Sequence, residues 1–342
     1  MESLKPQQRH FDPRVTKTIF VSRDIGFRFE GVFYHKEQNR IVVSFWDKSV
    51  QLLNSTSHFK PLKSMQELDS AATKVTSWPQ SKICLFGCES GNIYAHNLSN
   101  NIVQRVHTHV KNVENVKNIQ NVKNHIGSMA FISVNQYIFS RYSSNQMYIG
   151  RLKDADEEKE EEGDEEEEIL LQFSGEKSNV YSLHSSPNSN LLFSTHDNGY
   201  VKMYRTDRLP KLPNLYSIQT SQFKLVTQVE KIRINEKEYI ITTGFDGKIR
   251  IWNLAKGKMR LLKMIHVEEA AFWMVYLSKY KMLATSHNAH YISFFRLPSG
   301  KLERTLDLGM GKCFHIFLME DKNAIGVASL SEKKIKIVKL SR

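Results

Sequence analysis

The stretch Glu238-Tyr-Ile-Ile-Thr-Thr-Gly-Phe-Asp246-Gly-Lys-Ile-Arg-Ile-Trp252-Asn-Leu254 places a tight turn between two apolar segments. Its first half is rich in β-branched residues, and its second half alternates between polar and apolar residues; both patterns are typical of β-strands. Asp246 and Gly247 suit the turn for separate reasons, because a carboxylate accepts hydrogen bonds from turn N–H groups and glycine tolerates a positive φ. The stretch therefore predicts a β-hairpin.

Variants of this hairpin recur along the whole chain. When they are aligned on their turns, seven positions become equivalent: Asp47, Ser90, Ser144, Asn198, Asp246, Ala289 and Glu332. The spacings between them are 43, 54, 54, 48, 43 and 43 residues, which is about the length of a propeller blade. Another short apolar segment precedes each hairpin and would line a central channel. The repeat predicts an all-β fold of seven small sheets in a ring.

The fourth repeat carries a recognisable frame, in which the segment Gly175–Pro187 precedes the hairpin. This frame resembles that of the WD-repeat β-propeller family, and the resemblance covers essentially the whole chain. It implies a seven-bladed propeller of the WD-repeat type. It also implies structural roles for three turn aspartates and one tryptophan, namely Asp47, Asp197, Asp246 and Trp252.

The chain departs from the family pattern at most of its hydrogen-bonding positions. Glu176 replaces the family's usual His, and among the repeats only Trp252 stands where the family's terminal Trp is expected. The His–Ser–Asp–Trp network of the family is therefore incomplete in nearly every repeat. We expect apolar packing between the sheets to hold most blades together.

The two ends of the chain are predicted to close the ring. The segment Lys334–Leu340 resembles the third strand of blade seven, and Lys17–Val21 would supply its fourth strand. Such pairing removes exposed sheet edges. We therefore divide the chain into an N-terminal extension, residues 1–15, and a single propeller, residues 16–342.

Composition excludes several classes of protein. A hydrophobic content of 40% and an aromatic content of 11% allow a sizeable core. No segment approaches the roughly 18 apolar residues of a membrane helix, and the N-terminus lacks the apolar run of a secretory signal. Three cysteines, Cys84, Cys88 and Cys313, form no disulfide framework and are expected to be buried thiols in a reducing compartment. We expect an intracellular protein, cytoplasmic or nuclear.

The net charge of +12 is distributed unevenly. Residues 154–168 contain 12 acids and one lysine, a local charge of −11, so the remainder of the chain carries +23. Such a body attracts polyanions by long-range electrostatics, although a merely soluble lysine-rich surface has the same composition. The acidic loop, residues 153–168, cannot fold alone. It is either a solvated loop, a tether for a basic partner, or a screen that folds back onto the basic body.

A second unusual loop, residues 107–124, is rich in Asn and Lys. Its apolar residues recur at every third position, which fits neither a helix nor a strand. We expect a flexible loop or a short docking element. It would lie between blades two and three on the top face of the propeller, whereas the acidic loop would leave blade three on the opposite face.

The motifs do not support catalysis. The segment Gly309–Cys313 lacks the Ser or Thr that follows Lys in a phosphate-binding loop, so we expect no nucleotide and no other cofactor. The pairs His107/His109 and His287/His290 lack a further ligand at a metal-binding spacing and are expected to be surface or turn histidines. We expect no catalytic residue and no metal site.

Binding residues are therefore expected in the loops. The side chains before the tight turns should reach the top face; they are Trp46, Arg141, His196, Phe245 and His287. The candidate polyanion patch lies on the bottom face, in connections of blades four and five; it consists of Arg205, Arg208, Lys211, Lys256, Lys258 and Arg260.

These observations favour a non-catalytic scaffold, a subunit of a larger intracellular assembly whose partners are other proteins. The alternative is an RNA-associated WD-repeat protein, for example in ribosome production, that binds polyanions through its basic surface. A small-molecule ligand is not expected. Phosphoinositide binding is disfavoured because the paired-arginine motif of propellers that bind these lipids is missing from the sequence.

Overall fold

The computed structural model describes most of the chain. The described residues are 11–20, 29–45, 47–56, 59–65, 68–78, 81–107, 125–142, 144–152, 168–172, 178–186, 189–209, 212, 214–220, 224–329, 332 and 334–341. They form seven four-stranded antiparallel sheets, so the predicted seven-bladed, all-β propeller is confirmed. Among these residues, no helix has the length and the apolar character that a membrane crossing requires.

In six blades the strands follow each other from the channel outwards. Blade one comprises β2 (Phe29–His35), β3 (Arg40–Phe45), β4 (Val50–Asn54) and β5 (Lys60–Met65). Blade two comprises β6 (Ala72–Ser77), β7 (Ile83–Cys88), β8 (Ile93–Asn97) and β9 (Ile102–His107). Blade three comprises β10 (Ile126–Phe131), β11 (Gln136–Arg141), β12 (Gln146–Arg151) and β13 (Glu168–Gln172).

Blade four comprises β14 (Val180–Ser186), β15 (Leu191–His196), β16 (Tyr200–Arg205) and β17 (Asn214–Gln219). Blade five comprises β18 (Val226–Ile234), β19 (Lys237–Gly244), β20 (Lys248–Ala255) and β21 (Lys258–His266). Blade six comprises β22 (Ala271–Leu277), β23 (Met282–His287), β24 (Tyr291–Arg296) and β25 (Lys301–Asp307). Single 3-10 turns at Ser278–Tyr280 and Glu320–Lys322 follow the inner strands of blades six and seven.

Blade seven is assembled from both ends of the chain. It comprises β26 (Cys313–Met319), β27 (Ala324–Ser329), β28 (Lys334–Lys339) and the N-terminal strand β1 (Arg14–Phe20). Strand β1 pairs antiparallel with β28, which confirms the predicted closure. The closing segment starts earlier than the expected boundary at residue 16, because the Phe11 ring already packs against Tyr280 and Phe294, each at 5.1 Å.

Apolar packing between neighbouring sheets forms the core. The described residues contain seven buried apolar clusters, and each lies between two adjacent blades. Between blades four and five, for example, Phe193 and Met203 pack against Ile240 and Trp252. Cys84, Cys88 and Cys313 are buried in such clusters, as expected, and burial raises the pKa of the Cys88 and Cys313 thiols to about 12.

Polar side chains near the channel add a second link between blades. Four hydroxyls donate to a backbone carbonyl of the next blade: Ser44 to Ala72, Thr73 to Ile126, Thr227 to Ala271 and Ser286 to Phe314. Between blades three and four the direction reverses, since the Leu183 N–H donates to Ser128 Oγ at 2.7 Å. Because each bond satisfies a polar group near the centre of the ring, it adds directional pairing to the apolar contacts.

Most of the tight turns contain the same type of hydrogen bond. At five of the seven aligned positions, the side-chain oxygen accepts the backbone N–H of the residue two further on; the acceptors are Asp47, Ser90, Ser144, Asn198 and Asp246. Ala289 has no side-chain acceptor. The Glu332 carboxylate instead accepts from the backbone N–H of Gly311 and from Lys334 Nζ. The repeated bond shows that one local turn geometry recurs around the ring.

Candidate functional site

The strand order gives the propeller two distinct faces. Turns between the second and third strands, and connections from an outer strand to the next inner strand, lie at one end of the sheets. We call this end the top face and the other the bottom face. Residues 108–124, which connect β9 to β10, and residues 153–167, which connect β12 to β13, lie outside the described residues.

A cavity of about 710 Å³ occupies the top end of the central channel; we call it the channel cup. Its walls come from the inner strands of five blades, with Thr73, Lys74, Ile126, Gly127, Val180, Tyr181, Trp273, Phe314 and His315. Its rim comes from turns and connections of the top face, with Glu89, His125, Tyr142, Asn179, Asp197 and Leu225. The ring of inner strands therefore leaves a concave site that no single blade possesses.

A row of aromatic rings in contact with each other leads from the top surface into the channel cup. Phe245, whose side chain is 43% exposed, contacts Phe272 edge-on at 5.3 Å. Phe272 contacts Phe314 at 4.7 Å, Phe314 contacts His315 at 5.3 Å, and His315 stacks on Trp273 at 4.9 Å. These rings belong to blades five, six and seven. Trp273, Phe314 and His315 line one side of the cup, whereas Phe272 is buried beneath the exposed Phe245 ring.

Charged groups lie at the rim and deeper in the cup. The Lys74 ammonium of blade two stands 6.0 Å from the centre of the Trp273 ring of blade six. At the rim, the Asp197 carboxylate accepts hydrogen bonds from the backbone N–H and the side-chain amide of Asn179, at 3.1 and 2.8 Å. Glu89 supplies a second rim carboxylate. The rim is thus acidic, whereas the cup interior carries a cation.

Two titratable groups of the inner strands have strongly shifted pKa values. Burial, together with the charge of Lys74, lowers the pKa of His184 to about 4, and its Nε2 lies 2.5 Å from Ser182 Oγ. Burial raises the pKa of Glu230 to about 7. Among the residues that the structure describes, Glu230 Oε2 has no hydrogen-bond partner. Both shifts follow first from removal of a charge from water.

Two comparisons bear on the fold. Residues 167–205, which include the first three strands of blade four, match the family model described as WD domain, G-beta repeat. The β-propeller domain of Cps50 (Swd1) from Myceliophteria thermophila superposes with a TM-score of 0.73, covering 96% of this chain and 100% of that chain. The chain is a seven-bladed β-propeller, and its blade-four segment matches the WD-repeat model. Because this chain and the Cps50 domain are 11% identical in sequence, the likeness concerns the fold alone. No curated protein matches the sequence.

Blade five contains part of the hydrogen-bond network that the WD-repeat resemblance implies. Trp252 donates through Nε1 to Thr242 Oγ1 at 3.1 Å, and both side chains are buried. Asp246 instead forms a nearly buried ion pair with Arg250, with 2.5 Å between Oδ2 and Nη2. The turn aspartate and the tryptophan of this blade are therefore held by separate partners on neighbouring strands.

Three of the predicted top-face residues do not reach the surface. Arg141, His196 and His287 are buried. His196 lies against Ser194 Oγ at 2.8 Å, and His287 against Thr285 Oγ1 at 3.0 Å. Burial lowers the pKa of His196 to about 3 and that of His287 to about 4, so both imidazoles are neutral parts of the core.

For His196 and His287, the burial follows from the period of two along a strand. His196 and His287 stand two residues before the aligned turn position and point inwards. Phe245, directly before its aligned aspartate, points outwards, as does Asp197 in blade four. His290 is exposed, whereas its expected partner His287 is not. Trp46, His109 and the side chain of His107 lie outside the described residues.

The predicted polyanion patch is altered in blade four and present in blade five. Arg205 is paired with Asp207 through Nε at 2.8 Å and through a second contact from Nη2, so its charge is balanced locally. Arg208 is exposed, and Lys211 lies outside the described residues. In blade five, the bottom-face residues Lys256, Lys258 and Arg260 are all exposed.

Sequence reasoning missed the residues of the channel cup. Trp273, Phe314 and His315 lie in inner strands that the sequence places about 40 residues apart, and only ring closure brings their rings into contact. The available signal was a pair of adjacent aromatic residues at the same position of two inner strands, Phe272-Trp273 and Phe314-His315. Among the described residues, no group of three or more His, Cys, Asp or Glu side chains is arranged to hold a metal ion.

Proposed function

We propose that this WD-repeat propeller is a non-catalytic scaffold that holds a segment of a partner protein in the channel cup. The observation that carries the proposal is a cavity of about 710 Å³ with the rings of Trp273, Phe314 and His315 along one side, which the buried Phe272 connects to the exposed Phe245. Rigid aromatic surfaces bury much area at little conformational cost and are frequent binding hot spots. A cavity of this size accommodates one or two large side chains.

The charges around the cup indicate the character of the segment. The rim carboxylates Glu89 and Asp197 are joined on the top face by exposed Glu268 and Glu269, between blades five and six. A basic residue of the partner would find these carboxylates at the rim while an adjacent apolar side chain enters the cup. Electrostatic complementarity of this kind favours selection of the partner more than raw affinity.

The groups with shifted pKa values support a binding role. His184 and Glu230 belong to the packed wall of the channel, and burial is the first cause of both shifts. A neutral His and a carboxyl that is half protonated near neutral pH are what a dry channel wall imposes on such residues. We therefore assign them to the structure of the channel and not to a reaction.

The experiment compares two variants of the full chain in affinity purification with mass spectrometry. Tyr142→Ala with Phe245→Ala removes two exposed aromatic side chains at the top face, where Tyr142 is 53% and Phe245 43% exposed. The matched control, Val134→Ala with Leu262→Ala, removes two side chains that are 60% and 53% exposed elsewhere. Partners lost from the first variant and kept by the second support the proposal. The same partners in both samples contradict it.

A further inference from the structure

The bottom faces of blades five and six carry an unbalanced positive charge. Six of the exposed cations at or beside the turns of these two blades are Lys237, Lys256, Lys258, Arg260, Lys281 and Lys301. We call them the bottom basic surface. Lys256, Lys258 and Arg260 belong to the patch predicted from sequence, whereas Lys237, Lys281 and Lys301 lie at or beside further turns of the same face.

Three acids near this surface are paired with other cations, whereas Glu320 of blade seven accepts a hydrogen bond from Ser278 Oγ at 3.3 Å. Glu236 binds Arg233 at 2.5 Å, Glu238 binds Lys231 at 2.6 Å, and Glu303 binds Arg296 at 2.7 Å. None of these three cations belongs to the bottom basic surface. The positive charge of the surface is therefore not consumed by the neighbouring carboxylates.

The two blades present their cations as one surface. Lys281 Nζ of blade six donates to Asn235 Oδ1 of blade five at 2.8 Å, which joins the inner turns of the two blades. At the outer side, Gly300 lies so close to Ile265 and Lys263 that a Cβ there would stand 3.0 Å from Ile265. The turn before Lys301 therefore packs on the second half of the outer strand β21, whose first half carries Lys258 and Arg260.

Tight turns fix the position of these cations. The hairpin at Asn235–Glu236 has φ of 47° and 64°, and the hairpin at Lys256–Gly257 has φ of 48° and 71°. Two successive residues with positive φ form the compact two-residue turn of β-hairpins. Such turns have little freedom to lose, so a ligand that binds the cations pays a small entropic cost.

The composition of the turns favours a nucleic acid over a protein. Residues 224–329 are all described, and within them the turns 235–236, 256–257, 278–281 and 297–300 hold no exposed large apolar side chain; the exposed Leu261, Leu262 and Leu302 lie on the outer strands beyond these turns. Protein interfaces depend on buried apolar or aromatic anchors at their centre. Contacts to a phosphate backbone need only cations and polar groups.

The charge of the remaining bottom face disfavours a membrane. Blade seven presents the exposed acids Glu320 and Asp321 at this face. Strands β12 and β13 of blade three also have their connection there, through residues 153–167, which carry 11 acids and two lysines, a charge of −9. A flat anionic bilayer would meet these acids together with the bottom basic surface. A linear polyanion can contact blades five and six alone.

We propose that the bottom basic surface binds the phosphate backbone of a nucleic acid without regard to base sequence. The proposal is independent of the channel cup, which opens on the opposite face. Binding should release counterions, so the logarithm of the association constant should fall linearly with the logarithm of salt concentration.

The test measures binding of a short RNA duplex of mixed sequence to the full chain by fluorescence anisotropy at several salt concentrations. Lys237→Gln, Lys258→Gln and Lys301→Gln together should weaken binding by at least about tenfold and reduce the salt slope by two to three, about one for each lost phosphate contact. The control, Lys48→Gln, Lys224→Gln and Lys312→Gln, removes the same charge from exposed top-face lysines. It should stay within about twofold of the original protein, since long-range charge alone contributes little at physiological salt.

Melting temperatures establish that both triple variants are folded, and the cup variant Tyr142→Ala with Phe245→Ala should bind the duplex normally. Equal weakening in both triple variants would overturn the proposal, because net charge would then explain the binding. Absence of duplex binding at low salt would also overturn it. The proposal would also be overturned if the Lys237, Lys258 and Lys301 triple variant lost binding to a poly-glutamate peptide or to anionic vesicles but still bound the duplex.

Discussion

The backbone N–H of Asp12 donates a hydrogen bond to the carbonyl oxygen of Ser341 at 2.9 Å. Ser341 Oγ returns a hydrogen bond to the Asp12 carbonyl oxygen at 2.5 Å. These two residues stand near opposite ends of the chain, and their mutual bonds extend the pairing of β1 with β28 beyond the strands. Ring closure is thus anchored at its bottom end by a small backbone bridge.

Removal of residues 1–22 should destabilise the whole propeller. It deletes β1, exposes the edge of β28 and removes the buried side chain of Ile19 from the cluster between blades seven and one. We expect the melting temperature in scanning calorimetry to fall by several degrees or more. Deletion of residues 1–10 is the control, since it spares β1 and the contacts of Phe11. A 1–22 deletion that melts with the full-length protein would contradict the closure argument.

Adding the shared hydrogen bond to the turn at Ala289 should stabilise the propeller. Ala289→Asn supplies an acceptor for the backbone N–H of Tyr291, as Asn198 does for Tyr200 in blade four. We expect a gain of about 0.5–1 kcal/mol in the free energy of unfolding, measured by urea denaturation. The reverse change, Asp47→Ala, should cost a similar amount because Ser49 loses its acceptor. The prediction requires that the free energy of unfolding rises in Ala289→Asn and falls in Asp47→Ala.

The bond between Trp252 and Thr242 should show as an energetic coupling. Trp252→Phe removes the donor and part of a buried ring, and Thr242→Val removes the acceptor while keeping the shape. Each single variant should be destabilised, Trp252→Phe by about 1–3 kcal/mol. A double-mutant cycle in urea should give a coupling of at least about 0.5 kcal/mol. Strict additivity would show that the bond contributes nothing to stability.

Stability should depend on the ionisation of Glu230. Its pKa rises on folding from 4.5 to about 7, so the folded protein binds more protons than the unfolded chain between these values. Stability contributed by the neutral carboxyl is therefore complete below pH 4.5 and is lost as the pH rises through 7. Glu230→Gln should raise the melting temperature at pH 8 but not at pH 4. A gain of equal size at both pH values would assign the effect to packing instead.

His184 provides a contrast of opposite sign, because its pKa falls on folding from 6.5 to about 4. Protonation favours the unfolded chain in this window, so stability should decline as the pH drops from 6.5 towards 4. The Glu230→Gln protein should retain this acid-side decline, which provides an internal control for the pH scan.

Local patterns predicted the fold because each hairpin repeats the same turn chemistry and strand alternation. They failed for His196 and His287, where a displacement of one residue along a strand exchanges the core for the surface. They also could not anticipate that Asp207 balances Arg205, since that depends on side-chain conformation in an exposed turn. The channel cup was beyond reach for a different reason: Lys74 and Trp273 meet across the channel from blades two and six.

Each blade shares its apolar cores with both neighbours, and the two chain ends meet inside blade seven. The ring consequently has no first or last repeat in the physical sense, because every interface between sheets has the same kind of packing. Joining Asp12 to Ser341 with a short linker and opening the backbone at the exposed Lys256–Gly257 turn should therefore yield a circular permutant with the same seven sheets. The fold would then depend on the closed ring of interfaces between sheets and not on the position of the termini.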